Sequence, residues 1–369
     1  MTHRSTQSFR ARRAAVALLA LAAGVGTTTT VAAPSASAAV GSDDFRAGQV
    51  YRGDFPDPSV MRLGDTYYAY STNTGGKLLP AMSSSDLTTW RARPSSTGKW
   101  WKNDALAEAP RWATRHHAHG KWRVSTWAPS VAAVGGSYVA AYVAPVSETP
   151  RKMCITLAYA SAPLGPFVDP SRGPLVCPPD QGAIDPELLV DKRTGRVTLL
   201  WKTEGIAHHA PTRIWSQRLN GTATAFARGS EPVTLLTTEG GWEGNLIENP
   251  SMVRLHSWYY LFYSANDYRT SGYAVGYAIC RTPLGPCKRP SSAPLLATGG
   301  SVSGPGGADA FYDRTGTMRL AYAAWDRGRV GYPASNRCRS SARGCNQRTL
   351  HVAALAVATD LTLRVTDRG

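Results

Sequence analysis

One unit recurs five times along this chain: a short apolar strand, a tight turn, and a second strand rich in Tyr or ending in Trp. Pro58–Leu63 turns at Gly64-Asp65 into Thr66–Ser71, and Pro129–Val134 turns at Gly135-Gly136 into Ser137–Tyr142. Pro186–Asp191 turns at Arg193-Thr194-Gly195 into Arg196–Trp201, and Pro250–Leu255 turns at His256-Ser257 into Trp258–Ser264. Ala308–Asp313 turns at Arg314-Thr315-Gly316 into Thr317–Tyr322. Apolar, β-branched and aromatic runs bounded by Gly, Asp and Ser are hairpin signals. Further strands, Ile155–Tyr159 and Val275–Ile279, each run into a Pro-Leu-Gly-Pro turn, Pro163–Pro166 and Pro283–Pro286. No stretch downstream of the N-terminus keeps a helical period. Radial repetition of this kind predicts an all-β chain, a five-bladed β-propeller. A two-sheet sandwich also has many short strands, but it gives no reason for one hairpin to repeat.

The N-terminus reads as a segment outside that fold. Arg10, Arg12 and Arg13 precede an apolar run, Ala14–Gly24, and Ala36-Ser37-Ala38 has the small residues of a cleavage site. Residues 1–38 are therefore expected to be a secretory signal peptide, and 39–369 a single propeller domain in a secreted, extracellular protein. The Arg12-Arg13 pair admits twin-arginine export, and the route stays open. Six cysteines in an exported chain predict disulfides between neighbours: Cys154 with Cys177, Cys280 with Cys287, Cys338 with Cys345.

The net charge is +16, about +12 without the first 38 residues. Its Lys and Arg are scattered with no basic stripe or nucleic-acid motif, so no nucleic-acid partner is expected. No later segment looks transmembrane, so no membrane partner is expected either. Attraction to an acidic polysaccharide suits an exported basic chain, as does simple solubility.

The chemistry-bearing residues sit at the repeat. Asp57 stands before Pro58, Asp185 before Pro186, and Glu248 two residues before Pro250. In a propeller, the segment entering each innermost strand converges on the axis, so these three carboxylates can meet there. The prolines predict an extended backbone at Asp57 and Asp185. Crowded, partly buried carboxylates spread their proton affinities, which acid–base catalysis exploits. Trp127 is a candidate sugar-stacking wall, with Trp101 and Trp242 as loop contacts and Lys202 and Glu204 at the rim. His116, His117, His119, His208 and His209 lie in polar loops and are expected to face solvent.

In these segments, with Trp127–Val131, Leu200-Trp201-Lys202 and Tyr259–Ser264, the chain resembles glycoside hydrolase family 43, the five-bladed propellers that include arabinofuranosidases, arabinanases and β-xylosidases. The resemblance implies Asp57 as general base, Glu248 as general acid, and Asp185 as the residue that orients the acid and raises its pKa. It also implies inversion, with base and acid roughly 6.5–9.5 Å apart. Many relatives carry a histidine after Gly-Pro-Gly in the fifth blade, near an axial ion. Here Gly304-Pro305-Gly306 is followed by Gly307, a form that resembles exo-acting arabinofuranosidase-like members, so no cofactor and no metal are expected. Trp201–Gly205 and Pro211–Gln217 look like the arabinofuranosidase branches, and the chain stops where xylosidase types continue into a second sandwich. The expected activity is exo-acting release of α-L-arabinofuranosyl units from arabinan or arabinoxylan by a monomer. β-Xylosidase, endo-arabinanase and a non-catalytic sugar-binding propeller are the alternatives.

Overall fold

The computed structural model describes residues 48–94, 103–118, 120–149, 151–205, 210–332 and 346–367. The signal segment, Trp101, His119, His208, His209, Cys338 and Cys345 lie outside them. No described helix is long and apolar enough to cross a membrane.

Five antiparallel sheets form, one on each predicted hairpin. Blade 1 is β2 (Ser59–Leu63), β3 (Thr66–Tyr70), β4 (Ala81–Ser84) and β5 (Arg91–Ala92). A small hairpin, β6 (His116–Ala118) and β7 (Lys121–Arg123), precedes blade 2, which is β8 (Trp127–Val134), β9 (Ser137–Glu148) and β10 (Arg151–Ala160). Blade 3 is β11 (Ala183–Asp191), β12 (Arg196–Thr203), β13 (Arg213–Arg218) and β14 (Val233–Thr237). Blade 4 is β15 (Ile247–Leu255), β16 (Trp258–Ala265), β17 (Ala274–Cys280) and β18 (Cys287–Lys288). In blade 5, β19 (Val302–Tyr312), β20 (Met318–Asp326) and β21 (Thr349–Val357) are followed by β22 (Leu363–Asp367). The first described strand, β1 (Gly48–Asp54), pairs with β21 from Gly48 opposite Val352 to Asp54 opposite Thr349. Blade 5 is thus completed from the other end of the chain. The first strands β2, β8, β11, β15 and β19 touch in that cyclic order, and β19 touches β2.

Strand alternation fills the seams. In β16, Tyr260 and Phe262 join the apolar cluster facing blade 5, while Tyr259, Leu261 and Tyr263 join the cluster facing blade 3. Successive side chains of a strand point to opposite faces, so each blade feeds two cores. The other three seams have their own clusters: Val143 and Ile155 with Leu199 and Trp201, Met61 and Tyr70 with Val131 and Tyr142, and Val60 and Tyr67 with Phe311 and Leu350. Cys154–Cys177 and Cys280–Cys287 are bonded, as the spacing predicts.

A ring of side-chain-to-backbone hydrogen bonds links the inner strands. The Val131 N–H donates to Ser59 Oγ (3.2 Å), the Leu188 N–H to Ser130 Oγ (2.9 Å), and the Met252 N–H to the Glu187 carboxylate. The Ala310 N–H donates to Ser251 Oγ (3.0 Å), and the Val60 N–H donates to Asp309 Oδ2 (2.5 Å), which closes the circle. Each blade therefore accepts from the next. Glu187 and Asp309 also receive the hydroxyls of Ser130 (2.7 Å) and Ser251 (2.8 Å).

Candidate active site

Two residues before that ring, the inner strands make a second circle: Asp57, Ala128, Asp185, Asn249 and Gly307. All five have positive φ, 51°, 37°, 55°, 52° and 58° in that order. The extended backbone expected at Asp57 and Asp185 is therefore wrong. The strand register slips at this point in blades 2 to 5, between Trp127 and Ser130, Ile184 and Glu187, Glu248 and Ser251, and Gly306 and Asp309. A bulge here turns one residue per blade left-handed against the local preference, and Asp and Asn tolerate that region best. The circle also corrects the register of the three acids. Asn249 is the counterpart of Asp57 and Asp185, and Glu248 stands one residue earlier, reaching the pocket from the strand before the bulge.

The three carboxylates line one pocket of about 630 Å³. Asp57 accepts from Thr72 Oγ1 at 2.7 Å and from Arg348 Nη1 at 3.1 Å. Arg348 is buried beneath the rings of Tyr268 and Tyr273, its guanidinium carbon 5.5 and 5.3 Å from their centroids, and it also donates to the Gly306 carbonyl. Burial works against its charge, but Asp57 keeps it firmly protonated. Glu248 Oε2 accepts from Lys202 Nζ (3.1 Å) and its Oε1 accepts from Tyr273 OH (2.8 Å). Asp185 accepts the Asn249 N–H at 3.0 Å, which ties it to the residue next to Glu248.

Burial raises the Asp185 pKa to about 8; Glu248 adds to the rise, Lys202 opposes it, and Asp57 adds a little more. Lys202 is buried, which would weaken its charge, yet Glu248, Asp185 and Glu204 together raise its pKa. Burial also raises Glu204, against the pull of Lys202.

Trp127, Lys202 and Glu204 all line this pocket, and the Arg151 guanidinium covers the Trp127 ring at 4.3 Å. Trp242 does not. It stacks on Tyr263 within blade 4, and a Cβ on Gly276 would come within 2.6 Å of it. His116 is also unlike its expectation: it lies in β6, half-buried, with Nδ1 3.8 Å from Glu148. His117 is exposed. Sequence reasoning missed Thr72, Arg348, Tyr268 and Tyr332, which complete the walls, and the buried Tyr273, which holds Glu248. No local motif marks them, since Arg348 meets Asp57 across 291 residues.

Volume alone would have pointed elsewhere. The opposite mouth of the channel measures about 690 Å³ and is lined by Met61, Val131 and Val253 with Arg62, Glu187 and Asp309, without any of the three carboxylates. A constriction of about 10 Å³ at Asp57, Asp185 and Asn249 separates the two mouths.

The residues at the axis do not fit an ion. A Cβ on Gly307 would lie 2.6 Å from Asp57 Oδ1 and 3.2 Å from Arg348 Nη2, so a guanidinium fills the place of a ligand. Among the described residues no three His, Cys, Asp or Glu side chains gather as a metal site.

A pocket at the axis of five blades, with three carboxylates in distinct environments, defines a propeller glycosidase. Residues 49–340 match the sequence profile of glycosyl hydrolases family 43, and the chain belongs to that family. It is thus a glycoside hydrolase, of a family that inverts anomeric configuration. No curated protein matches the sequence. Among solved structures, a thermostable family-43 glycoside hydrolase superposes with a TM-score of 0.68 at 22% identity, over 88% of this chain and 97% of that one. An endo-1,4-β-xylanase from Bacteroides thetaiotaomicron gives 0.65 at 25% identity, over 87% and 96%. An α-L-arabinofuranosidase from Lactobacillus brevis gives 0.65 at 16% identity, over 86% and 95%.

Proposed function

We propose that this protein is an exported, exo-acting α-L-arabinofuranosidase that releases terminal arabinose from arabinan or arabinoxylan. The observation that carries the reading is the set of three carboxylates in one pocket, each with different partners. Asp57, held by Arg348 and Thr72, is the general base. It takes a proton from water, whose oxygen attacks the anomeric carbon from the face opposite the leaving group. The glycosidic C–O bond breaks, and Glu248 gives its proton to the leaving oxygen. Asp185 is the modulator. It is tied to the backbone beside Glu248, which it orients, and its own proton affinity is raised by burial and by the Glu248 charge. Lys202 and Tyr273 hold the Glu248 carboxylate once the proton has gone. Trp127 offers a sugar ring its indole.

The preference for arabinose is supported by the Trp201–Gly205 segment. The test is hydrolysis of aryl α-L-arabinofuranoside, aryl β-D-xyloside and arabinan by the protein and by Glu248→Ala. Arabinose release that vanishes in the variant supports both substrate and acid. Xylose release would keep the mechanism and replace the substrate, and cleavage of arabinan alone would make the enzyme endo-acting. Silence on all three, with sugar binding retained, would leave a binding protein.

A further inference from the structure

A second hollow of about 270 Å³ opens beside the catalytic pocket, between the loop of Asn73 to Leu78 and the β6–β7 hairpin. Its size is near the lower end for ligand pockets, enough for a sugar unit rather than a chain. The hairpin rests on a small core, Ala113, Val124 and Ala144 with Leu78 and Trp112 packed against it. At its outer edge Trp122 is 68% exposed, with only the edge of His117 against the ring at 5.6 Å. An exposed tryptophan on a supported hairpin is costly to keep in water and suited to stacking.

Cations share the hollow with that indole. Lys77, Arg115 and Arg123 line the hollow, and Lys121 is exposed beside it. Two acids lie nearby, and one buried oxygen of Glu148 has no hydrogen-bond partner among the described residues. Asp104, next to Lys77, accepts the N–H groups of Leu78, Leu79 and Leu106, and Glu148 faces His116 at 3.8 Å. Arg123 Nε is buried and has no hydrogen-bond partner among the described residues. A guanidinium N–H left unmade in such a place is a donor awaiting an acceptor.

Only a thin wall separates the two cavities. Asn73 N–H donates to the Thr126 carbonyl (2.9 Å), and the Thr126 N–H donates back to Asn73 Oδ1 (3.2 Å). The preceding residue, Thr72, binds Asp57, and the following residue, Trp127, lines the catalytic pocket.

We propose that this hollow is a glycan subsite for an acidic sugar, a uronate unit of the same polysaccharide whose neutral unit enters the catalytic pocket. The inference rests on reading the catalytic pocket as a sugar pocket. The uronate ring lies on Trp122, and its carboxylate takes the guanidinium N–H groups of Arg123 and Arg115. The basic character of the chain then has a place to act.

The test is calorimetry on the full chain carrying Glu248→Gln, titrated with xylotriose bearing one glucuronate and with plain xylotriose at low and high salt. The acidic sugar is expected to bind more tightly, with an affinity that falls as salt rises. Trp122→Ala and, separately, Arg115→Gln, both at exposed positions, should each weaken it about tenfold, the value of one good charge-assisted contact. Plain xylotriose should not distinguish the variants from their parent. Equal binding of the two sugars, no binding of the acidic one, or variants that bind it as their parent does would each overturn the proposal. No hydrolysis is read, so an error about arabinose would leave this result intact.

Discussion

Two rings circle the same axis two residues apart, and buried acids sit in both. In the outer ring Asp57 meets Arg348, and Asp185 lies near Lys202 and Glu248, all beside a pocket that can admit a ligand. In the inner ring Glu187 and Asp309 meet only serine hydroxyls and backbone N–H groups, at the edge of the opposite mouth. Residue type is alike. The partners differ, and they separate a site that can do chemistry from a clasp that holds blades together.

The comparison breaks if the outer ring proves dispensable. Glu248→Gln and Asp57→Asn are each expected to lower kcat/KM by about 10²–10⁴-fold, the usual worth of a positioned acid or base. Glu187→Gln should leave the rate within a few-fold, and a loss equal to that of Glu248→Gln would erase the distinction. Next in size is Arg348→Met. Breaking a buried ion pair leaves one charge without compensation and costs about 3–5 kcal/mol, although Asp57 is partly open to solvent and will soften this. Thermal denaturation reads that loss, and the rate should fall with it.

The inner ring has a signature in pH. Burial raises Asp309 to about 6 and pushes Glu187 well above the usual carboxylate range, with Asp309 adding to the latter. The folded protein thus binds these protons more tightly than the unfolded chain, whose carboxyls titrate near about 4. Their stabilising contribution is complete below that value and is lost as pH rises through about 6 for Asp309. Asp309→Asn should therefore flatten the fall of Tm between pH 4 and 7, read by melts across that range. An unchanged slope would deny the ring its proton. Smallest is Trp127→Ala, for which stacking alone predicts a rise in KM of about three- to tenfold with kcat little changed.

Much of this was legible in the chain because hairpins are local. Tyr259–Tyr263 alternates and feeds two cores, and Pro58, Pro129, Pro186 and Pro250 mark four of the five inner strands. The contacts between distant segments were not legible. Nothing near Gly48 announces Val352 as its partner, and nothing near Arg348 announces Asp57. The left-handed residues were misread for a related reason. The proline speaks for the dipeptide, whereas the bulge that sets φ belongs to the whole circle of strands. Trp242 was misplaced because a tryptophan in a glycine-rich loop looks the same whether it faces a sugar or a neighbouring Tyr263.

The closing bond of the inner ring has a kinetic meaning. Four of its links join neighbouring blades, such as Leu188 to Ser130 across 58 residues, while Val60 reaches Asp309 across 249. Loop entropy makes that last link costlier by roughly 1.3 kcal/mol, at about 0.6 kcal/mol per doubling of length. An arc of blades can therefore form before the circle shuts. Asp57 lies three residues from Val60, and its cation Arg348 comes from the last blade. The base and its counter-ion meet only at closure, so a refolding chain should regain its strands and inter-blade cores first and its catalytic competence last.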